Sequence, residues 1–162
     1  GVPVASLLGL GDPKLTGFLH PGAKIRPENI VYLGLRDIDP PELTIMKDLG
    51  IRFYTYPEIC KKGLASCLSE AVQYLSRLNY FHLSFDIDSM DPALMPGVSV
   101  PVKSGFTEEE VYEMMGTLMK ELPIVSYDIV EFNQEFDRDN RTADFVSELV
   151  DFITNAERKE AF

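Results

Sequence analysis

The residues best placed to do chemistry lie close together in Ser84-Phe85-Asp86-Ile87-Asp88-Ser89-Met90-Asp91-Pro92. Along a strand, residues two apart share a face, so His82, Ser84, Asp86 and Asp88 line up on one side. Asp86 and Asp88 fall where an apolar run ends, at the strand's carboxyl end, and ligands bind at that edge in open α/β sheets. Two carboxylates this close repel, and burial adds a desolvation cost. A divalent cation relieves both. Oxygen ligands suit magnesium, calcium or manganese, and a chain with only His20, His82, Cys60 and Cys67 disfavours zinc. A calcium loop of the EF-hand type fails, because counting from Asp86 its fifth, sixth and twelfth positions hold Met90, Asp91 and Gly97. Asp91, ahead of Pro92, reads as a turn residue. Asp86 does not, since Phe85 and Ile87 flank it inside a core-like run.

Two further acidic positions draw notice. Glu131 follows the apolar run IVSYDIV, at a carboxyl edge like that of Asp88, and either shares that site or is an ordinary strand-end residue beside Asn133. Asp39-Pro40-Pro41-Glu42, followed by Leu43, Ile45, Met46, Leu49 and then Gly50, reads as a helix with both ends marked. Asp39 is its N-cap, Pro40 its first residue, Glu42 the capping-box partner and Gly50 the stop.

The elements that must hold these residues alternate along the chain. Val31–Leu35, Ile51–Tyr56, Tyr80–Ile87 and Ile124–Phe132 read as strands, the last two continuous enough to be buried on both faces of a parallel sheet. Between and after them, Leu64, Leu68, Ala71, Val72, Leu75 and Leu78 recur at helical spacing. Thr107 and Glu110 form a capping box ahead of Val111, Met115, Leu118 and Leu122. A last helix carries Phe145, Leu149, Phe152, Ile153 and Ala156. Residues 1–30, rich in glycine, read as loop with one short element. The pattern is an α/β fold with a mainly parallel sheet.

Composition narrows the function. The 162 residues fit one domain, and 15 basic against 26 acidic residues give a net charge of −11. That balance argues against nucleic acid and against an anionic membrane surface. No apolar run approaches the roughly 18–20 residues of a spanning helix, and no leader pattern opens the chain, so secreted and membrane proteins are not expected. Cys60 and Cys67 are too far apart for a redox pair and read as two buried or half-buried thiols of a reducing compartment.

Taken together, the motifs resemble those of the arginases, within the ureohydrolase superfamily. SFDIDSMDP resembles that family's second metal motif, GVPVASLLG the segment after its His-Gly motif, IVYLGLRDIDPPE its Gly-Leu-Arg-Asp-x-Asp-Pro stretch, and SYDIVEFNQ its Asp-x-x-Glu-x-Asn segment. They occur in family order, and RDIDPPE points to arginase rather than agmatinase. The resemblance implies a three-layer αβα fold, of which residues 1–162 are the carboxyl-terminal part of a single domain. It implies hydrolysis of L-arginine to L-ornithine and urea, a cytoplasmic location, and a homo-trimer or hexamer of the full-length chain. Asp86 and Asp88 then match ligands of a two-manganese centre, with Asp86 bridging both ions, and Glu131 matches the partner of the substrate guanidinium. Asp39 and Glu42 match receivers of the α-amino group, and His82 and Ser84 groups that hydrogen-bond the ligating carboxylates.

The resemblance also marks what these residues lack. The family's remaining ligands come from a histidine, an Asp-x-His-x-Asp motif and a Gly-Gly-Asp-His stretch, none of which occurs here. Its Asn-x-His-Gly segment would end at Gly1, which is then the cut edge of a larger domain. The isolated chain is accordingly expected to be inactive. Arginases usually read Gly-Thr-Pro where this chain reads Ser99-Val100-Pro101. That departure leaves open another guanidino substrate such as agmatine, and a non-catalytic subunit that kept the fold is the remaining alternative.

Overall fold

The computed structural model describes residues 2–160, and side chains through residue 156. Gly1, the expected cut edge, lies outside the described residues. The chain divides into two compact units, Gly1–Leu33 with Ile38–Phe53, and Gly34–Asp37 with Tyr54–Phe162. Strands β1 (Val31–Leu35) and β2 (Arg52–Thr55) are hydrogen-bonded to each other, as are β3 (Phe81–Asp86) and β4 (Ile124–Val130).

The first unit is more helical than its glycine content suggests. It holds α1 (Val2–Leu7), α2 (Pro13–Thr16), a 3-10 turn at Pro27–Asn29 and α3 (Pro40–Asp48). The Asp12 side chain accepts from the Lys14 N–H at 2.7 Å, with Pro13 opening α2, a combination that satisfies the first turn of even a short helix. The Lys24 ammonium donates to the carbonyls of Thr16, His20 and Gly22, tying the following loop.

Helix α3 ends as expected. The Ile51 N–H reaches the Met46 carbonyl and the Gly50 N–H reaches Lys47, both at 3.0 Å, with Gly50 at φ +68°. That is a Schellman ending, which needs a left-handed residue there. Its start differs from expectation. Asp39 has the extended backbone of an N-cap, but its side chain makes no capping hydrogen bond, so the Asp39–Glu42 capping box does not form. With Pro40 and Pro41 leading, two of the orphan N–H groups are absent from the outset, which lessens the need for a side-chain cap.

In the second unit, β3 and β4 run parallel, in the register Ser84 to Asp128, Phe85 to Ile129 and Asp86 to Val130, with an irregularity at Phe81/His82. Phe85 is buried, whereas His82, Ser84, Ser126 and Asp128 are exposed or half-buried. The expectation of burial on both faces is therefore corrected: His82 and Ser84 of β3 and Ser126 and Asp128 of β4 are exposed, and so are the apolar Val125 and Val130 of β4.

Helices complete the unit. In α5 (Leu64–Leu75), Leu64, Cys67, Leu68, Ala71 and Leu75 are buried. The core also takes Val111, Met114, Met115 and Leu118 of α6 (Glu108–Glu121), and Phe145, Leu149 and Ile153 of α7 (Arg141–Glu160). Both arms of the Thr107–Glu110 capping box are present. Helix α4 (Tyr56–Lys62) was not expected. Thr55 caps it through the Glu58 N–H at 3.3 Å, Pro57 lies in its first turn, and Gly63 at φ +93° separates it from α5. Cys67 is buried as expected; Cys60, on α4, is exposed.

Candidate functional site

The carboxyl ends of β3 and β4 bring three of the predicted residues together. Asp86 closes β3, Asp88 sits in the 3-10 turn Ile87–Ser89 that follows, and Glu131 comes one residue after β4. Because Asp86 pairs in register with Val130, Glu131 emerges next to it. The strand stops at Asp86, so Asp88 reaches the site through the turn rather than along the face of β3. The Asp88 N–H donates to Asp86 Oδ1 at 3.2 Å, which folds the turn back onto the strand end.

The electrostatics match this crowding. Burial, then Asp88 beside it and more weakly Glu131, push the Asp86 carboxyl up to about 7. A carboxyl so placed resists ionisation because its charged form is poorly solvated and meets other negative charges. Glu131 is exposed and has a left-handed backbone, φ +61°. Non-glycine residues avoid that region at a cost of about 1–2 kcal/mol, and such strain persists where the surroundings impose it.

Around this centre the turn is built from main-chain contacts. Asp91 behaves as the expected turn residue: its Oδ1 accepts from the Ala93 N–H at 2.9 Å and its carbonyl from Leu94 and Met95. Asn133 ties the β4 end to a neighbouring loop, donating from Nδ2 to Ser99 Oγ at 2.9 Å and from its N–H to the Gly97 carbonyl at 2.8 Å. Val100, adjacent to Ser99, is 54% exposed. Among the described residues, Ser89 Oγ is buried without a hydrogen-bond partner.

The remaining predicted residues take other places. His82 Nδ1 lies 2.8 Å from Ser126 Oγ and Nε2 3.1 Å from Asp128 Oδ2, so its ring faces β4 side chains rather than the Asp86 carboxylate. Ser84 is exposed on the same face of β3, opposite Asp128 in register. Asp39 and Glu42, at the head of α3, belong to the first unit.

One residue that sequence reasoning passed over is prominent. Arg36 donates to four carbonyls, those of Asp88, Met90, Val102 and Ser104, the Val102 contact at 2.8 Å and the Met90 contact at 3.4 Å. It stands inside the GLRDIDPPE stretch, but nothing local to it reveals partners so far along the chain.

Do these groups suit a cation? Asp86 and Asp88 offer hard oxygen ligands whose mutual repulsion a divalent ion would relieve. No cluster of three or more histidine, cysteine or acidic side chains suited to a metal occurs among the described residues.

The family described as Arginase family matches residues 14–154. The chain belongs to the arginase family. The arginase of Bacillus caldovelox is 38% identical over 144 residues, covering 88% of this chain and 48% of the relative. The crystal structure of Bacillus subtilis arginase superposes with a TM-score of 0.88 at 36% identity, covering 93% of this chain and 52% of that one. Entamoeba histolytica arginase, solved in complex with L-ornithine, superposes at 0.84 with 29% identity, covering 94% and 51%. The arginase-like α/β fold expected from the motifs is thus the fold of this chain, and its family is one of hydrolases. The chain spans about half the length of the curated relatives it matches. No helix among the described residues is long and apolar enough to cross a membrane.

Proposed function

We propose that the full-length protein hydrolyses L-arginine to L-ornithine and urea with two manganese ions, and that this chain is the carboxyl-terminal part of its single arginase-like domain. The observation that carries the reading is the convergence of Asp86, Asp88 and Glu131 at the carboxyl ends of two parallel strands. Asp86 and Asp88 would hold metal. When bound, the metal pair supplies a water nucleophile at neutral pH by lowering its pKa.

The chain's own residues do the rest. Glu131, exposed beside the aspartates, receives the cationic guanidinium in a charge-assisted hydrogen bond and holds it for attack. Asp39 and Glu42 receive the α-amino group. His82 and Ser84 act from the face of β3 that leads to Asp86, His82 from the strand's amino end by bracing it against Ser126 and Asp128 on β4. Two aspartates cannot hold two ions, so the 162-residue chain alone is inactive. The protein is cytoplasmic, and the full chain assembles as a homo-trimer or hexamer.

Val100 favours a second reading. Its exposed isopropyl group cannot donate a hydrogen bond where arginases usually carry threonine, which suits another guanidino compound such as agmatine. Urea release from arginine, agmatine and 4-guanidinobutyrate by the full-length protein, loaded with manganese, separates the two. Turnover of arginine above the others is the expected result. Preference for either alternative overturns the substrate, no urea from any of them points to a non-catalytic relative, and turnover by the isolated chain overturns its assignment as an inactive part.

A further inference from the structure

We propose that Arg36 is a positioning residue for the aspartate pair: it fixes the main chain of Asp88 and thereby sets the metal affinity of the turn. The inference rests on the reading of Asp86 and Asp88 as metal ligands. Its basis is the way the Arg36 guanidinium is used. All four of its hydrogen bonds go to main-chain carbonyls, two in the turn at Asp88 and Met90 and two in the loop at Val102 and Ser104. A half-buried cation is unfavourable without compensation. Burial draws the Arg36 guanidinium below its usual range, while Asp88 foremost, then Asp91, pull it back.

The consequence falls on Asp88. Its N–H is held by Asp86 Oδ1 and its carbonyl by Arg36, so both of its backbone polar groups are committed. The peptide planes on either side of Asp88 cannot rotate without breaking one of these bonds. The origin of its side chain is therefore fixed relative to Asp86 before any cation arrives. Only arginine suits this position. Its planar fork offers five N–H donors in fixed geometry and can span two segments, whereas lysine presents three donors at one point.

Gly105 makes the socket possible. A Cβ there would lie 2.5 Å from Arg36 Nη1 and 2.4 Å from the Met90 carbonyl carbon. Any side chain at 105 would push the guanidinium or the turn away.

The test uses the full-length protein with Arg36→Lys and Gly105→Ala, and Arg26→Lys as a control, since Arg26 is exposed and lies 4.0 Å from Glu28. Manganese affinity is measured by competition with a fluorescent chelator, folding by circular dichroism and melting without metal, and kcat and KM at saturating manganese. Arg36→Lys should weaken manganese binding about 10–100-fold, the range for partners that orient metal ligands. The KM for arginine at saturating metal should stay near the parent value. Gly105→Ala, which crowds the guanidinium but keeps its charge, should shift affinity in the same direction, and Arg26→Lys should leave it unchanged. A folded variant of either site that binds manganese as tightly as the parent overturns the proposal. So does failure of both variants to fold, which would make Arg36 a residue of the core alone. A parent that binds manganese but releases no urea from arginine overturns the substrate reading and leaves the affinity comparison standing. A parent that binds no manganese overturns both.

Discussion

Replacing Glu131 with glycine should separate what this residue costs the fold from what it gives the site. Its φ of +61° puts an L side chain in the left-handed region, at about 1–2 kcal/mol. Glycine removes that cost and returns roughly 0.5–1 kcal/mol of it through the greater freedom of its unfolded chain. Loss of a negative charge near Asp86 adds to the gain, because Glu131 is one of the groups that raise the Asp86 carboxyl. A net stabilisation of about 1 kcal/mol in a domain about twice the length of this chain raises the melting temperature by roughly 1–2 °C. The same substitution deletes the proposed guanidinium partner. A hydrogen bond to a charged group contributes about 1.5–3 kcal/mol, so kcat/KM for arginine should fall roughly 10- to 150-fold. Glu131→Gln is the comparison, for it keeps the strained backbone and loses only the charge. Melting of the metal-free full-length protein and steady-state urea release read the two effects separately. If Glu131→Gly melts below Glu131→Gln, the backbone argument is wrong. If Glu131→Gly retains kcat/KM, the guanidinium assignment is wrong.

Three other outcomes follow from the structure. With Asp86 pushed up to about 7, its carboxyl is protonated below that pH and must lose a proton to bind a cation. Manganese affinity should fall about tenfold per pH unit below 7 and level off above it, with proton release seen by calorimetry in buffers of different ionisation enthalpy. The linkage to folding has the opposite sign. A carboxyl raised in the folded state favours folding at low pH, so the metal-free protein should lose stability as pH rises from the ordinary carboxylate range through about 7, and a melting temperature that climbs over that interval contradicts it. Gly34→Ala should destabilise the chain by at least about 2 kcal/mol in urea denaturation, because Gly34 sits at φ +85° and a Cβ would lie 2.2 Å from the Phe106 ring.

How far the sequence foretold these features depended on the distance over which each is determined. The Thr107–Glu110 capping box and the Gly50 ending are written within a turn of helix, and both form. The strand ends at Asp86 and Val130 lie close to the limits of their apolar runs, which is why the three acidic residues could be expected at one edge. Helix α4 escaped notice because Tyr56 reads as the continuation of an aromatic strand, although Thr55 and Pro57 supply a start signal. The Asp39 cap was read from residue type, but capping needs a side-chain rotamer that no sequence rule supplies. For His82 the decisive fact was register: a strand irregularity beside it sets Ser126 and Asp128 against its ring. Arg36 lay beyond local reasoning, since its acceptors are 52 to 68 residues further along.

Because the Arg36 guanidinium grips carbonyl oxygens and no side chains, the shape of the aspartate turn is encoded largely in peptide groups. Any amino acid offers the same oxygen at positions 102 and 104, provided it tolerates the local backbone, which at Ser104 has φ +60°, whereas Met90 is also fixed by the burial of its side chain. Chemical identity is demanded mainly at Arg36, which supplies the fork, and at Gly105, which leaves room for it. Substitutions elsewhere around the socket can therefore accumulate while the spacing of Asp86 and Asp88 is retained. The side chains of this rim are left open to change in what they present to a ligand.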